Sequence, residues 1–367
     1  MNFAETDEQK ALRAQARGFL DARWPAERTA ALADGAGFER DAWTEVAELG
    51  WTGISTPEEE GGAGFGFEEE AVLAEELGRA LFPGPWLSSV VLALPALGCA
   101  QDLAKEVVTG KAIATLAWAG PSGEYEVDHL PAGIGRGEDT SHLYGSTWFV
   151  PDLALADLVV VVGEGPGGLG LWAVRTDDEH ISRNDLPTVD TTRRLGSLFL
   201  EGASGRLPAE GNEAVALVGR IRNRALATLA AEAVGVGTRA LELSVEHART
   251  RQQFGKPVGA FQAVSQQLAD AYIETEAARS LVQWAASEIA NGGADAPRAA
   301  AAAKAFASQA AVRTCERAIQ VHGGMGFTWD HPLHRFYKRA EWIEAFMGWP
   351  ARQRERVAAD LLDEPDR

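Results

Sequence analysis

Leu158-Val-Val-Val-Val-Gly-Glu-Gly-Pro-Gly-Gly-Leu-Gly-Leu-Trp-Ala-Val174 is the stretch that decides between two folds. Inside it, Gly163-Glu-Gly-Pro-Gly-Gly168 follows an apolar run and has the spelling of a dinucleotide-binding fingerprint. That fingerprint works only when a helix follows, because the helix N-terminus receives the pyrophosphate. Here Leu169-Gly-Leu-Trp-Ala-Val174 follows, which is another short strand-like run. The glycine cluster is therefore expected to be a hairpin turn, and an alternating α/β sheet is not expected.

Outward from this hairpin, residues 112–119, 140–150, 155–162, 169–175 and 194–200 are short apolar or alternating runs between Gly, Pro and Asp clusters. Their spacing predicts a small antiparallel sheet domain, a barrel or a sandwich. Toward the N-terminus the period is helical. Leu12, Ala16, Phe19 and Leu20 make one stripe, and Trp43, Val46 and Leu49 a second. Four glycines make residues 57–66 a loop. Residues 67–81 resume the helical period and stop at Phe82-Pro-Gly-Pro85. Beyond Glu213 about four long helices are expected, one of them Ala-rich and started by Asp295-Ala-Pro297. Helices, then strands, then helices predicts an α+β chain of three domains, at 1–108, 109–207 and 208–367.

A length of 367 residues fits two or three packed units, and 46% hydrophobic with 24% charged residues is ordinary for a globular protein. The formal net charge of -19 argues against nucleic acid and anionic membranes as partners, since both need a basic footprint. Any phosphate-bearing ligand must then meet a local Arg or Lys cluster. Cys99 and Cys315 stand in unrelated contexts and make neither a metal-ligand spacing nor a disulfide framework. That suits a reducing cytoplasm, with no metal expected. The polar N-terminus is no signal peptide, and the apolar stretch 87–99 is too short to span a bilayer and holds Pro95. A soluble cytoplasmic protein is expected.

Two C-terminal segments are specific. Arg251-Gln-Gln-Phe-Gly-Lys-Pro-Val-Gly-Ala-Phe-Gln262 resembles the acyl-CoA dehydrogenase pattern Arg-x-Gln-Phe-Gly followed by Phe-Gln. Gln320-Val-His-Gly-Gly-Met-Gly326 is similar to that family's Gln-x-x-Gly-Gly-x-Gly. Leu49-Gly-Trp-Thr-Gly-Ile-Ser-Thr-Pro-Glu-Glu-Glu-Gly-Gly62 and Glu75-Glu-Leu-Gly-Arg79 also resemble family segments, in the right order along nearly the whole chain. The resemblance implies the acyl-CoA dehydrogenase fold: an N-terminal helical domain, a middle antiparallel β-domain and a C-terminal four-helix bundle.

It also implies FAD and an acyl-CoA substrate. In the family, Arg251, Gln253, Phe254, Phe261, Gln320, Gly323 and Gly324 would reach across a subunit interface to the neighbour's FAD. Arg251 offers a planar charged donor to a pyrophosphate. Gly323 and Gly324 let backbone N–H groups approach anionic oxygens, and Phe254 gives an apolar face to the adenosine end. Alone, the glycine pair reads as a helix-ending turn; with Arg251 and Gln320 it reads as a cofactor segment.

The middle domain departs from the family. Where Thr-Glu-Pro-x-x-Gly-Ser-Asp is usual, this chain has Ala117-Trp-Ala-Gly-Pro-Ser-Gly123, with Ala119 for Thr and Gly120 for Glu. In Gly145-Ser-Thr-Trp-Phe-Val-Pro151, Phe149 can stack on a flavin ring, but Pro151 replaces a hydrogen-bonding Thr or Ser. Family chemistry takes the α-proton with a carboxylate while hydride leaves the β-carbon. At the two places where that carboxylate is found, this chain has Met347 and Ala225. Glu344 and Glu232 are substitute candidates, each also readable as a surface glutamate, and His322 reads as a packed or cofactor-side residue.

Neighbour-serving residues kept, own-cleft residues eroded: that asymmetry resembles the short non-catalytic partner subunits of actinobacterial heterotetrameric, steroid-type acyl-CoA dehydrogenases. The expectation is an α2β2 assembly with a longer acyl-CoA dehydrogenase subunit that brings the base, and an acceptor such as electron-transfer flavoprotein. Two alternatives stay open: a self-sufficient homo-oligomeric enzyme with Glu344 as relocated base, and a non-redox dehydratase-like protein or scaffold.

Overall fold

The structure is a computed structural model and describes residues 5–35, 37–120, 123, 125, 134–136 and 142–363. Among them run helices α1 (Asp7–Arg23), α2 (Ala26–Asp34), α3 (Arg40–Glu48), α4 (Phe67–Arg79), α5 (Leu94–Ala96) and α6 (Gln101–Val108), with a π-helical segment at Leu87–Ala93. Strands β1 (Ala114–Ala117), β2 (Ile134–Arg136), β3 (His142–Pro151), β4 (Leu158–Gly165), β5 (Gly168–Arg175), β6 (Ile181–Leu186), β7 (Leu195–Ser204) and β8 (Arg206–Glu210) follow. The long helix α7 (Gly211–Thr250) leads to a hairpin of β9 (Gln252–Gln253) and β10 (Lys256–Pro257). Helices α8 (Gln262–Ala290), α9 (Ala296–His322), α10 (Leu333–Ala345) and α11 (Pro350–Asp363) complete the chain. The expected order of helical, β and helical regions is present. Tertiary contacts separate two compact units: Met1–Gly37, Phe67–Pro83 and Leu226–Arg367 in one, Phe38–Gly66 and Gly84–Ala225 in the other.

The second of these holds the β-structure as two four-stranded sheets, ordered β1-β4-β5-β8 and β2-β3-β7-β6. Gly165 pairs with Gly168, so Pro166 and Gly167 form the two-residue turn of the β4–β5 hairpin, and no helix follows the glycines. Val159 and Val161 of β4, Trp172 and Val174 of β5, and Leu198 and Leu200 of β7 share one buried cluster, the interior of a sandwich. One pairing departs from the antiparallel expectation: β1 runs parallel to β4, with Ala114 opposite Leu158. β2 and β3 lie between them in sequence, and this long connection lets the chain return in the same direction. Strands β2, β6 and β8 were not legible as periodic runs. β6, Ile-Ser-Arg-Asn-Asp-Leu, is mostly exposed and among the described strands pairs with β7 alone. Thr140 and Ser141, the start of one expected strand, lie outside the described residues.

In the other unit α4 and α7 cross through glycine. A Cβ built on Gly78 would stand 2.2 Å from the Glu232 carbonyl oxygen, and one on Gly235 would stand 1.9 Å from that of Glu75. Only hydrogen fits at both positions, so the two backbones touch. Ion pairs ring the crossing: Glu75 meets Arg13 at 3.1 Å and Arg279 at 2.8 Å, and Glu76 meets Arg13 at 2.8 Å and Arg17 at 2.7 Å. The family-like segment Glu75–Arg79 is therefore a packing and charge hub. The Ala-rich α9, with Asp295 at its N-cap and proline in its first turn, packs against α8, α10 and α11. Its small side chains allow that close approach on several sides.

Candidate functional site

Helix α7 ends at Thr250 and the chain passes through Arg251 into the β9–β10 hairpin, where Gln253 pairs with Lys256. The turn residues Phe254 and Gly255 both have positive φ, 51° and 78°. Two such residues suit the twist of a tight hairpin. Glycine adopts this readily, but a bulky aromatic does so rarely. The Phe254 ring is nevertheless 92% exposed, with an edge contact to Phe261 at 6.2 Å. Lys256 Nζ sits 4.2 Å from the Phe261 ring centre. Arg251 and Gln253 are exposed too. A strained backbone that displays an aromatic side chain marks a surface built for contact.

The end of α9 meets the end of α7 through histidine. The His322 ring stacks on His247 at 4.2 Å and 29°, and His331 lies 4.6 Å away on a tilted ring. His322 Nδ1 is 2.8 Å from the Ala318 carbonyl, to which it donates as the Nδ1–H tautomer. Burial lowers the pKa of His322, and burial together with neighbouring positive charge lowers those of His247 and His331. Just beyond, Gly323 has φ 63° and ψ -141°, and a Cβ on Gly323 or Gly324 would meet nothing within 4 Å. Gln320 is exposed one turn before. An exposed guanidinium and amide, an open glycine backbone and an exposed aromatic ring are each of a chemistry that suits a diphosphate or an adenine.

Phe149 belongs to the other unit. It sits where the β3–β7 register slips, with φ 54°, half-buried, and its carbonyl accepts the Tyr125 hydroxyl at 3.1 Å. The Pro151 carbonyl accepts Thr115 Oγ1 at 2.6 Å, and that of Ala119 accepts Thr147 Oγ1 at 2.7 Å. Pro121 and Ser122 lie outside the described residues.

Met347 follows α10 in a turn, with φ 58° and 2% exposure. Two fully buried donors hold this turn. Lys304 Nζ donates to the carbonyls of Glu344 and Gly348, each at 2.7 Å, and Gln353 Nε2 donates to that of Met347 at 2.9 Å. Burial pulls the pKa of Lys304 down to about 7. The Glu344 carboxyl is half-buried, with its pKa raised first by burial and then by Glu341. Ala225 is fully buried in α7. Glu232, read from sequence as a possible surface glutamate, is buried and bound to Arg339.

Residues 6–107 match the acyl-CoA dehydrogenase N-terminal domain, and residues 222–362 match the acyl-CoA dehydrogenase C-terminal domain. The chain belongs to the acyl-CoA dehydrogenase family. It is 32% identical over 345 residues, 93% of each chain, to the acyl-CoA dehydrogenase IpdE2 of Mycobacterium tuberculosis. Among solved structures it is similar to the ChsE4-ChsE5 complex from Mycobacterium tuberculosis, with a TM-score of 0.89 and 30% identity over 100% of both chains. It is also similar to a variant of the Tcur3481-Tcur3483 steroid ACAD, with a TM-score of 0.86 and 29% identity over 97% of this chain and 98% of that one.

As an acyl-CoA dehydrogenase family member, the chain is an oxidoreductase of acyl-CoA chemistry with FAD as its cofactor, as the motifs implied. Sequence reading missed His247, His331, Lys304 and Gln353. His247 had a signal, since it stands one helical turn before Arg251. Lys304 had another, a lone charge within the alanines of α9. Nothing local marks Gln353 or His331. Among the described residues, no helix is long and apolar enough to cross a membrane.

Proposed function

We propose that this chain is one subunit of a heteromeric acyl-CoA dehydrogenase, giving FAD-binding residues to a partner's cofactor and no base of its own. The observation that carries this is the contrast between its two candidate regions. Arg251, Phe254, Gln320, Gly323 and Gly324 are open to a partner. The residues aligned with the family base are a buried thioether, Met347, and a buried methyl, Ala225, neither of which accepts a proton. The ChsE4-ChsE5 complex and the Tcur3481-Tcur3483 steroid ACAD each bring together two differently named chains, and this supports a two-chain assembly. The same likeness supports a bulky, steroid-type acyl group, and family practice supports electron-transfer flavoprotein as acceptor. FAD supplies the hydride acceptor. This chain's part is to hold the cofactor's phosphate and adenosine end, while the α-proton passes to a carboxylate of the longer subunit.

Glu344 favours a second reading. Its carboxyl lies three residues before Met347, and burial and Glu341 raise its pKa, so a self-sufficient enzyme with Glu344 as base is the alternative. The two separate in one experiment. The chain alone, and the chain co-expressed with a longer family member, are assayed for flavin absorbance and for reduction of an artificial acceptor by an acyl-CoA. Activity only in the pair, insensitive to Glu344→Gln, is expected. Activity of the chain alone, abolished by Glu344→Gln, would establish the alternative.

A further inference from the structure

Three imidazoles from three parts of the chain converge beside Arg251. His247 lies in the last turn of α7, His322 in the last turn of α9, and His331 in the segment before α10. The ring centres are 4.2 Å and 4.6 Å apart, too close for all three to be charged together without a compensating anion. The groups nearest the stack are Arg251 and further imidazoles. Arg251 acts on His247, and the imidazoles act on one another. On the α10 side His334 faces His331, with Arg335 and Lys338 behind it, and Asp34 lies there bound to Arg335. Two helices end at this place, and their carbonyl ends favour a cation and oppose an anion. A diphosphate received by Arg251 and the backbone at Gly323 therefore arrives where helix ends and a chain of net charge -19 are unfavourable to it.

We propose that His247, His322 and His331 are a protonatable part of the dinucleotide phosphate site, so that capture of FAD by this face takes up a proton. The inference rests on the reading that Arg251 receives the FAD phosphates. The anion's charge stabilises the imidazolium form, and in the stack one proton can be shared among neighbouring rings. His322 is the pivotal member. Its Nδ1–H is committed to the Ala318 carbonyl, so protonation at Nε2 converts an acceptor into a second donor. The Leu333 N–H approaches His331 Nδ1 at 3.4 Å, which leaves the His331 proton on Nε2. The sign is fixed by linkage. Free imidazoles with pKa below the ordinary value are neutral at pH 7, and the bound form holds more protons. Affinity therefore falls as pH rises from below 6.5 through the raised pKa of the bound state.

The test uses the flavoprotein purified with its longer partner, stripped of cofactor and titrated with FAD between pH 6 and pH 8. FAD binding is followed by fluorescence quenching, and proton uptake by calorimetry in two buffers of different ionisation heat. Uptake averaging about half a proton over this range is expected, with Kd on the order of tenfold lower at pH 6 than at pH 8. His322→Asn and, separately, His331→Gln should flatten that dependence. Arg251→Ala should weaken binding at every pH. If Arg251→Ala weakens binding but the wild type takes up no proton, the histidine proposal fails and the cofactor face stands. If Arg251→Ala leaves FAD affinity unchanged, the face itself has been misread and the proposal fails with it.

Discussion

Glu232 and Arg339 form an ion pair sealed inside the helical unit, with exposures of 3% and 0%. Arg339 Nη2 also reaches toward the Phe82 carbonyl, at 3.5 Å. The pairing answers a mechanistic question, because a carboxylate enclosed with Arg339 inside the unit is not presented to a substrate. It also sets a stability expectation. Breaking a buried pair leaves one charge unmatched, which typically costs about 3–5 kcal/mol. Arg339→Met should lower unfolding stability by that order in a denaturant titration. The double variant Glu232→Gln/Arg339→Met should recover much of it. A single variant as stable as wild type would mean the pair is dispensable.

The α4–α7 crossing makes a sharper steric prediction. Gly78→Ala or Gly235→Ala drives a methyl into a backbone carbonyl that cannot move aside. Overpacking of this kind typically costs about 1–3 kcal/mol, and contact with backbone places these two at or above the upper end. Gly219, also in α7, has no atoms within 4 Å of a built Cβ. Gly219→Ala should stabilise by about 0.5–1 kcal/mol through helix propensity and a less mobile unfolded chain. Thermal melts of the three variants should diverge in sign.

Lys304 predicts a pH dependence of folding. Its pKa falls from an ordinary 10.5 to about 7 because burial disfavours the ammonium. Between those values the unfolded chain holds more protons than the folded one, so stability rises with pH across that window. The cost of burying the charge is fully present below pH 7 and is relieved as the pH climbs toward 10. Lys304→Met should remove up to about 1.4 kcal/mol per pH unit from the slope. Denaturant unfolding of both proteins from pH 6.5 to pH 9 measures this, and parallel curves would mean Lys304 stays charged throughout.

Arg251 predicts a change in binding with little change in folding. A charge-assisted hydrogen bond is typically worth about 1.5–3 kcal/mol, so Arg251→Ala should weaken FAD retention by roughly tenfold to a hundredfold. The side chain is exposed in this chain, and the melting temperature should hardly move. Flavin content after gel filtration, read by absorbance, distinguishes the two effects. Unchanged flavin content would assign Arg251 to the solvent-facing surface.

The sequence by itself determined whatever depends on near neighbours. Leu169-Gly-Leu-Trp after the glycine cluster excluded a helix there, and the β4–β5 hairpin follows from it. Helical stripes of period 3.6 located α1, α3 and α4, and Asp295 with its proline located the start of α9. Arg251, Phe254 and the Gly323-Gly324 pair stood out through their resemblance to family segments, and the structure leaves all four exposed. Only the tertiary structure decided the state of each charge. Glu232 reads in sequence as a possible surface residue on a helix, but it is buried because Arg339, 107 positions away, meets it. His247, His322 and His331 become one cluster because α7 and α9 end side by side, and Lys304 becomes a buried clamp because the 347 turn folds onto it. The parallel pairing of β1 with β4 likewise depends on a return of the chain that no local period encodes. Propensity and periodicity act within a turn or two of the chain, whereas desolvation and Coulomb energy depend on whatever the fold places within a few ångströms.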